Sequence, residues 1–388
     1  MSLEVAAAVS EHPVPAHAVG SCLGELLEAG GPGPVALVIA VTEPLVGALD
    51  DVVAAARRLL GPEVLLAVTV EGVIGGAREV DRSVAVMMFA AWDHRGGEVP
   101  IRPVRLTTRR SPDGPRTDGL DELRGATGTL VLFTDPFSVD ADALLEDLAL
   151  VAPGLVVVGG ELSAARHGGG NRLVLDAATW HDGAVGLLFG VEQASTPLLS
   201  FAGRAIGPSV TVTDVSPPGP TDDVTVLAGL GGRPARECLD ELLAALAPEL
   251  ASLAVDGLFV GLVRRPSGEV PVERFALLGG DADTGGLVVG GRVPTGSTVR
   301  FEVRDPSVVE PELVTQAMSA SSHGAGSFVV LSALRGARFH GRPDAEAGAV
   351  VEAVGPAPVA GVVVGREFVP VAGRSRRRSS SLVVLPVG

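Results

Sequence analysis

Short, almost purely apolar runs punctuated by glycine recur along this chain, and their order limits the folds open to it more than any other feature. Val35–Val41 (VALVIAV) is the first such run. Leu49, Val52, Val53, Ala56 and Leu60 follow at helical spacing, then a second run at Val64–Val70, a turn at Glu71–Gly76 and a third run at Ser83–Ala91. Valine-rich runs of this length read as strands buried on both faces, with the spaced stretch as a helix that covers them. The order returns at Thr129–Thr134, a helix opened by Ser138 and carrying Leu144, Leu145 and Leu148, Leu155–Gly159, a turn at His167–Asn171, and Ala184–Gly190. It returns again at Ser327–Ser332, a helix capped near Asp344 with Ala347, Val350, Val351 and Val354 inward, Val359–Val364, and Leu382–Val387. The expectation is an α/β protein of layered mixed sheets built from repeated strand–helix–strand–strand units.

Other segments are less regular. Residues 1–18 read as loose, interrupted by Pro13 and Pro15, with a helix from Val19 to Ala29. Between the second and third copies lie a Pro-rich stretch at Ser216–Asp223, a helix at Pro234–Leu246 and strands near Leu258–Val263, Leu287–Val293 and Thr298–Val303. A boundary near Phe201–Gly207 divides the chain into expected domains 1–204 and 205–388.

A formal charge of -16 repels phosphate backbones and anionic membrane surfaces, so neither nucleic acid nor membrane is expected as a partner. All 30 basic residues are arginine, which removes Schiff-base and P-loop lysine chemistry. Cys22 and Cys238 each sit on an apolar helical face and read as small core residues. No basic leader precedes an apolar segment, and no run approaches the ~20 apolar residues that span a bilayer. The expected location is the cytoplasm.

Taken in order, several segments resemble the FIST domain family across an N-terminal and a C-terminal half. They are VALVIAV, Ala67–Ile74 (AVTVEGVI), Leu155–Gly160 and Asp182–Gly190, then Leu227–Leu246, Leu258–Leu262, Gly285–Arg304, Ser332–Gly336 (SALRG) and Val359–Pro370 (VAGVVVGREFVP). Ala67-Val68 stand where the family has Gly-Cys, Ala333 where a cysteine is common, and Arg366 and Val369 where glycines are usual. The resemblance implies a non-catalytic sensory module for a small ligand, amino acids being the proposed ligands, and some relatives bind haem. The last strand runs to the terminus, so signalling is expected to pass through a separate protein partner. The alternative is a degenerate scaffold that acts in protein–protein contact without ligand. An enzyme of unrecognised mechanism is a third possibility without support in the residues.

Within that frame Glu367 and Arg366 are the first candidates for the ligand. A carboxylate holds an ammonium and a guanidinium holds a carboxylate, so together they could bracket a zwitterion. Arg335 is a second candidate, matching an arginine of the family, against a plain structural ion pair. Glu71 and Glu161 end the corresponding strands of the other copies and are further candidates, against solvated turn carboxylates. The seven histidines show no two-ligand helical spacing, so no metal or cofactor is expected, although His340 or His323 alone could serve a haem. Ser332, His340 and Glu367 would make a hydrolase only if the fold brought them together.

Overall fold

A computed structural model describes residues 3–94, 101–111, 114–192, 194–216, 224–255, 257–263, 271–281, 284–320, 324–371 and 373–388. The chain divides into two units, the first made of Met1–Ser200 with Val309–Gly388 and the second of Phe201–Val308. The expected domains 1–204 and 205–388 follow a different division, because the chain beyond residue 308 pairs with strands of the first 200 residues.

The first repeat runs β1 (Glu4–Ser10), α1 (Pro15–Gly30), β2 (Ala36–Thr42), α2 (Leu49–Leu59), β3 (Val64–Val70), a hairpin β4 (Gly72–Gly75) and β5 (Arg78–Asp81), then β6 (Val86–Trp92). The second runs β7 (Ile101–Ser111), β8 (Gly114–Asp118), β9 (Gly128–Thr134), α3 (Ala141–Val151), β10 (Leu155–Glu161), a hairpin β11 (Leu173–Leu175) and β12 (Ala178–Trp180), then β13 (Ala184–Phe189). The third opens with β14 (Leu198–Ser200), after which the second unit intervenes. That unit comprises β15 (Gly203–Ala205), β16 (Val210–Ser216), β17 (Thr225–Leu230), β18 (Arg233–Pro234), α4 (Ala235–Ala244), α5 (Pro248–Val255), β19 (Leu258–Val263), β20 (Pro271–Gly280), β21 (Leu287–Val289) and β22 (Thr298–Arg304). The third repeat resumes with α6 (Val309–Ser319), β23 (Gly326–Ser332), α7 (Ala337–His340), α8 (Ala345–Val354), β24 (Val359–Val364), a hairpin β25 (Arg366–Val371) and β26 (Arg374–Arg378), then β27 (Leu382–Val387).

The three repeats share one topology. In each, the first strand of the unit (β2, β9, β23) lies parallel to the strand after the helix (β3, β10, β24). On its other side it pairs antiparallel with the closing strand (β6, β13, β27). The hairpins are exchanged. β4–β5 of the first repeat extends the sheet of the third, β11–β12 of the second extends the first, and β25–β26 of the third extends the second. The sequence pattern shows the elements but not this exchange, whose cause is local. A single residue, Glu71, separates β3 from β4, and Gly365 alone separates β24 from β25. One residue is too few to turn a strand back on its neighbour, since even the tightest hairpin needs two, so the chain crosses to the next sheet. Gly160 permits the crossing in the second sheet: a Cβ there would collide with the Arg366 carbonyl and come within 2.7 Å of the Val364 side chain.

Helices cover the outer faces. α1 and α2 bury Cys22, Leu23, Leu26, Val52 and Val53 against Leu37, Ile39, Leu65, Met88 and Trp92. α3 buries Leu144, Leu145 and Leu148 with Leu130, Leu132, Val157 and Phe368, the last carried in by the exchanged hairpin. Phe328 meets Phe89 and Phe133 edge-on, at 5.6 and 6.4 Å between centroids, and so joins all three sheets. The N-terminus departs from the expectation of a loose segment. β1 pairs along its length with β6, from Glu4 opposite Trp92 to Ser10 opposite Val86. Its alanines carry little strand signal, and Pro15 begins a helix instead of breaking one.

In the second unit the hydrogen-bonded path β22–β16–β17–β21–β20–β19 returns to β22, closing an antiparallel barrel. Val212, Leu227, Val260, Phe275 and Phe301 fill its core.

The exchanged hairpins also fasten helices. Glu79 of β5 accepts hydrogen bonds from the Glu346 and Ala347 N–H groups at 2.8 and 3.1 Å, and its own N–H donates to Asp344 Oδ1 at 2.8 Å. The cap of α8 is therefore Glu79 from the first repeat; Asp344, expected in that role, makes no side-chain cap. Thr179 of β12 donates to Asp50 in the first turn of α2 at 2.8 Å, and Arg377 of β26 pairs with Asp142 in the first turn of α3. Register places Glu79, Thr179 and Arg377 at matching positions of the three hairpins. Glu79→Ala is expected to lower stability by about 0.5–2 kcal/mol in urea titrations, whereas Glu79→Gln, which keeps an acceptor oxygen, should lose less.

Candidate functional site

The parallel pair β23 and β24 ends in a cavity of about 160 Å³. Carboxyl ends of parallel strands are where α/β sheets commonly open a crevice, because the following loops diverge there. One wall is the exchanged hairpin, with Glu79, Asp81 and Arg82; the other is the segment after β23, with Ser332, Arg335 and Arg338. Glu79 and Asp81 are two apart on a strand and so share a face.

Arg335 lies on the inner wall with its side chain fully buried, forked onto Glu346 through Nε to Oε1 at 2.6 Å and NH2 to Oε2 at 2.9 Å. NH1 donates to the Ser200 carbonyl at 2.8 Å, and the guanidinium lies over the Phe339 ring at 5.4 Å. His340 is turned to the same carboxylate, Nε2 standing 3.0 Å from Glu346 Oε1. Burial acts to raise the Glu346 carboxyl, but the Arg335 charge and the His340 contact outweigh it and hold it below the usual range.

Glu367 is completely buried behind the cavity. Oε2 accepts from the Ser381 N–H at 3.0 Å and the Ser381 hydroxyl at 2.5 Å, while Oε1 has no partner of ordinary hydrogen-bond geometry. Burial pushes its carboxyl up to about 7, against the weaker opposing pull of the Ser381 and Ser332 hydroxyls, the Ser381 N–H and the Arg335 charge. Arg366, its neighbour on β25, is exposed and points to the opposite face of the strand. The two do not bracket one ligand. Arg366 stands opposite Glu161 of β10, and Glu161 takes a hydrogen bond from Arg377 at 3.1 Å. Glu71 is paired with Arg82, which lines the cavity.

The structure thus gathers Arg335 in the wall, Glu367 behind it and Glu71 one residue away through Arg82. It leaves Arg366 and Glu161 on the second sheet. Sequence reasoning missed Glu346, Glu79, Asp81 and Arg338. The alternation of REVD at Arg78–Asp81 carried a signal, two carboxylates on one face of a short strand, but not the sheet it would join. His323 lies outside the described residues. Among the described residues no three His, Cys, Asp or Glu side chains converge as a metal site, and no helix is long and apolar enough to cross a membrane. Cys22 is buried in the first core, its thiol pushed up to about 12 mainly by burial.

Interlocked mixed sheets, with a polar cavity at the end of one parallel strand pair, define a layered α/β protein. The chain belongs to the FIST family: the FIST N domain matches residues 36–233 and the FIST C domain residues 235–370. Domains of this family are signalling sensory domains proposed to bind small ligands. An uncharacterised protein of Mycobacterium tuberculosis (strain ATCC 25618 / H37Rv) is 31% identical over 334 residues, covering 84% of each chain. An uncharacterised protein of Mycobacterium bovis (strain ATCC BAA-935 / AF2122/97) is 28% identical over 356 residues, covering 90% of this chain and 89% of its own. The cavity draws its two walls from residues matched by the two different family domains.

Because the native state binds the Glu367 proton more tightly than the unfolded chain, whose carboxyl titrates near 4.5, this residue makes stability fall as pH rises from about 4.5 to about 7. Glu367→Gln should remove that component. Relative to wild type the variant is expected to gain up to about 3 kcal/mol between pH 5 and pH 8 in denaturant titrations. Parallel pH profiles of the two proteins would show that Glu367 stays ionised in the fold.

Proposed function

We propose that this protein is a non-catalytic, cytoplasmic sensor whose cavity at the ends of β23 and β24 takes a small amphoteric metabolite, an amino acid or a close relative, and that it signals to a separate protein. The observation that carries the reading is the state of the charged groups in the wall. Glu79 and Asp344 are committed to the backbone around α8, Arg335 to Glu346, and Arg82 to Glu71. Arg338 makes no ion pair or hydrogen bond among the described residues, and Asp81 has Arg82 at 3.8 Å and feels the Arg338 charge without a direct bond to it. One free cation and one nearly free anion thus remain on opposing walls, a polarity suited to a zwitterion. Arg335 and Glu367 support this arrangement from behind; Arg366 and Glu161 lie apart from it.

The alternative, a FIST scaffold that acts through protein contacts without ligand, draws support from the same bonds, since most of the wall is satisfied internally. Thermal-shift and calorimetric titration against the L-amino acids separates the two. Saturable binding, weakened by about 1–3 kcal/mol in both Asp81→Asn and Arg338→Met with unchanged stability of the free proteins, supports the sensor. No binding, with a partner retained on the protein regardless of metabolite, supports the scaffold.

A further inference from the structure

Both chain connections of the second unit are held, inside the first unit, by the residue that forms the cavity's inner wall. Ser200 is the last residue before the second unit, and α6 begins immediately after it. Arg335 NH1 donates to the Ser200 carbonyl at 2.8 Å, and NH2 lies 3.5 Å from the Ser200 hydroxyl. That hydroxyl donates to Glu312 Oε2 in the first turn of α6 at 2.7 Å. One turn on, Gln316 clamps the Leu199 backbone, its Oε1 accepting from N–H at 2.9 Å and its Nε2 donating to the carbonyl at 2.6 Å. The outgoing and returning chains are thereby tied to each other and to Arg335.

Arg335 has no donor to spare. Nε and NH2 serve Glu346, NH1 serves the Ser200 and Ser380 carbonyls, and the remaining NH2 contact is the one to the Ser200 hydroxyl. A guanidinium has five N–H donors, so a new acceptor in the cavity must displace a present one. The longest contacts are those to the Ser380 carbonyl at 3.4 Å and the Ser200 hydroxyl at 3.5 Å, whereas the fork to the buried Glu346 is short and charge-assisted. Displacement therefore falls on the Ser380 and Ser200 side.

We propose that Arg335 is the positioning residue that reports occupation of the cavity to the two connections of the second unit, making that unit the element through which the signal leaves. This rests on the reading that the cavity takes a ligand, but its test does not need the ligand. Ala337 is an exposed residue of the cavity wall. In a Cys238→Ser background, Ala337→Cys modified with N-ethylmaleimide places a covalent occupant at the cavity, and Ser21→Cys on the exposed side of α1 serves as the modified control. Hydrogen–deuterium exchange is followed in peptides covering 199–206 and 305–312. Modification at 337, and not at 21, is expected to speed exchange several-fold in both peptides. The response should shrink in Ser200→Ala and likewise in Glu312→Leu, which removes the acceptor of the Ser200 hydroxyl and so interrupts the same link without touching the cavity. A change confined to residues 333–344, or a full response that survives both substitutions, overturns the proposal. The sensor reading fails separately, when no amino acid binds the unmodified protein.

Discussion

The first unit depends on two connections that are too short to turn back. With only Glu71 between β3 and β4, and only Gly365 between β24 and β25, neither hairpin can fold onto the strand that precedes it. Each is delivered to another repeat, and the longer connection before β11 delivers the second hairpin in the same cyclic sense. No repeat then completes its own sheet. The consequence is energetic as well as topological: Phe368, brought by the third repeat, lies in the core of the second, and Glu79, from the first, caps a helix of the third. Such mutual completion makes folding of the unit depend on contacts distant in sequence, which slows it relative to a chain of local units.

The same exchange explains where the polar groups lie. At the cavity the exchanged hairpin, paired in register with β24, meets the segment after β23 and the start of α8, where backbone N–H groups outside the ladder need side-chain partners. Glu79, Asp344, Glu346 and Arg335 supply them. Glu346 is held ionised because Arg335 forks onto it at 2.6 and 2.9 Å, whereas Glu367, equally buried, has serines for neighbours and an oxygen without a partner. Two glutamates close to one arginine thus titrate in opposite directions. Proximity to a charge matters less than a direct, two-point hydrogen bond to it.

These contrasts mark what the residues alone could reveal. The three strand–helix–strand–strand units were legible because valine runs and leucine spacing report burial, and burial is set by local pattern. The segment before Val19 was not, because the centre of β1 is a run of three alanines and the segment becomes a strand only by pairing with β6. For the site, Arg335 was legible as an arginine near a strand end, and Glu367 as the acid of a closing turn. Their partners were not, since Arg335–Glu346 and Glu79–Glu346 are decided by which hairpin docks where. The pairing of Glu367 with Arg366 fails for a simpler reason: both lie on β25, and adjacent residues of a strand face opposite ways.

The place of the second unit follows from the repeat itself. In the first repeat β1 leads to α1 through the short link 11–14, and α1 lies over the sheet that β1 edges. In the third, β14 pairs at the edge of its sheet with β27, and α6 is bound to it through Gln316. β14 and α6 are thus the counterparts of β1 and α1, and the barrel occupies the position of the short link. An insertion there leaves the repeat intact only if something holds its two ends together, and the Ser200–Glu312 and Leu199–Gln316 bonds do so. The family's division at residues 233 and 235 falls inside that insertion and not between repeats. Each half recognised by sequence therefore contributes strands to the interlocked sheets of the first unit, and a cavity walled by both is what that interlocking produces.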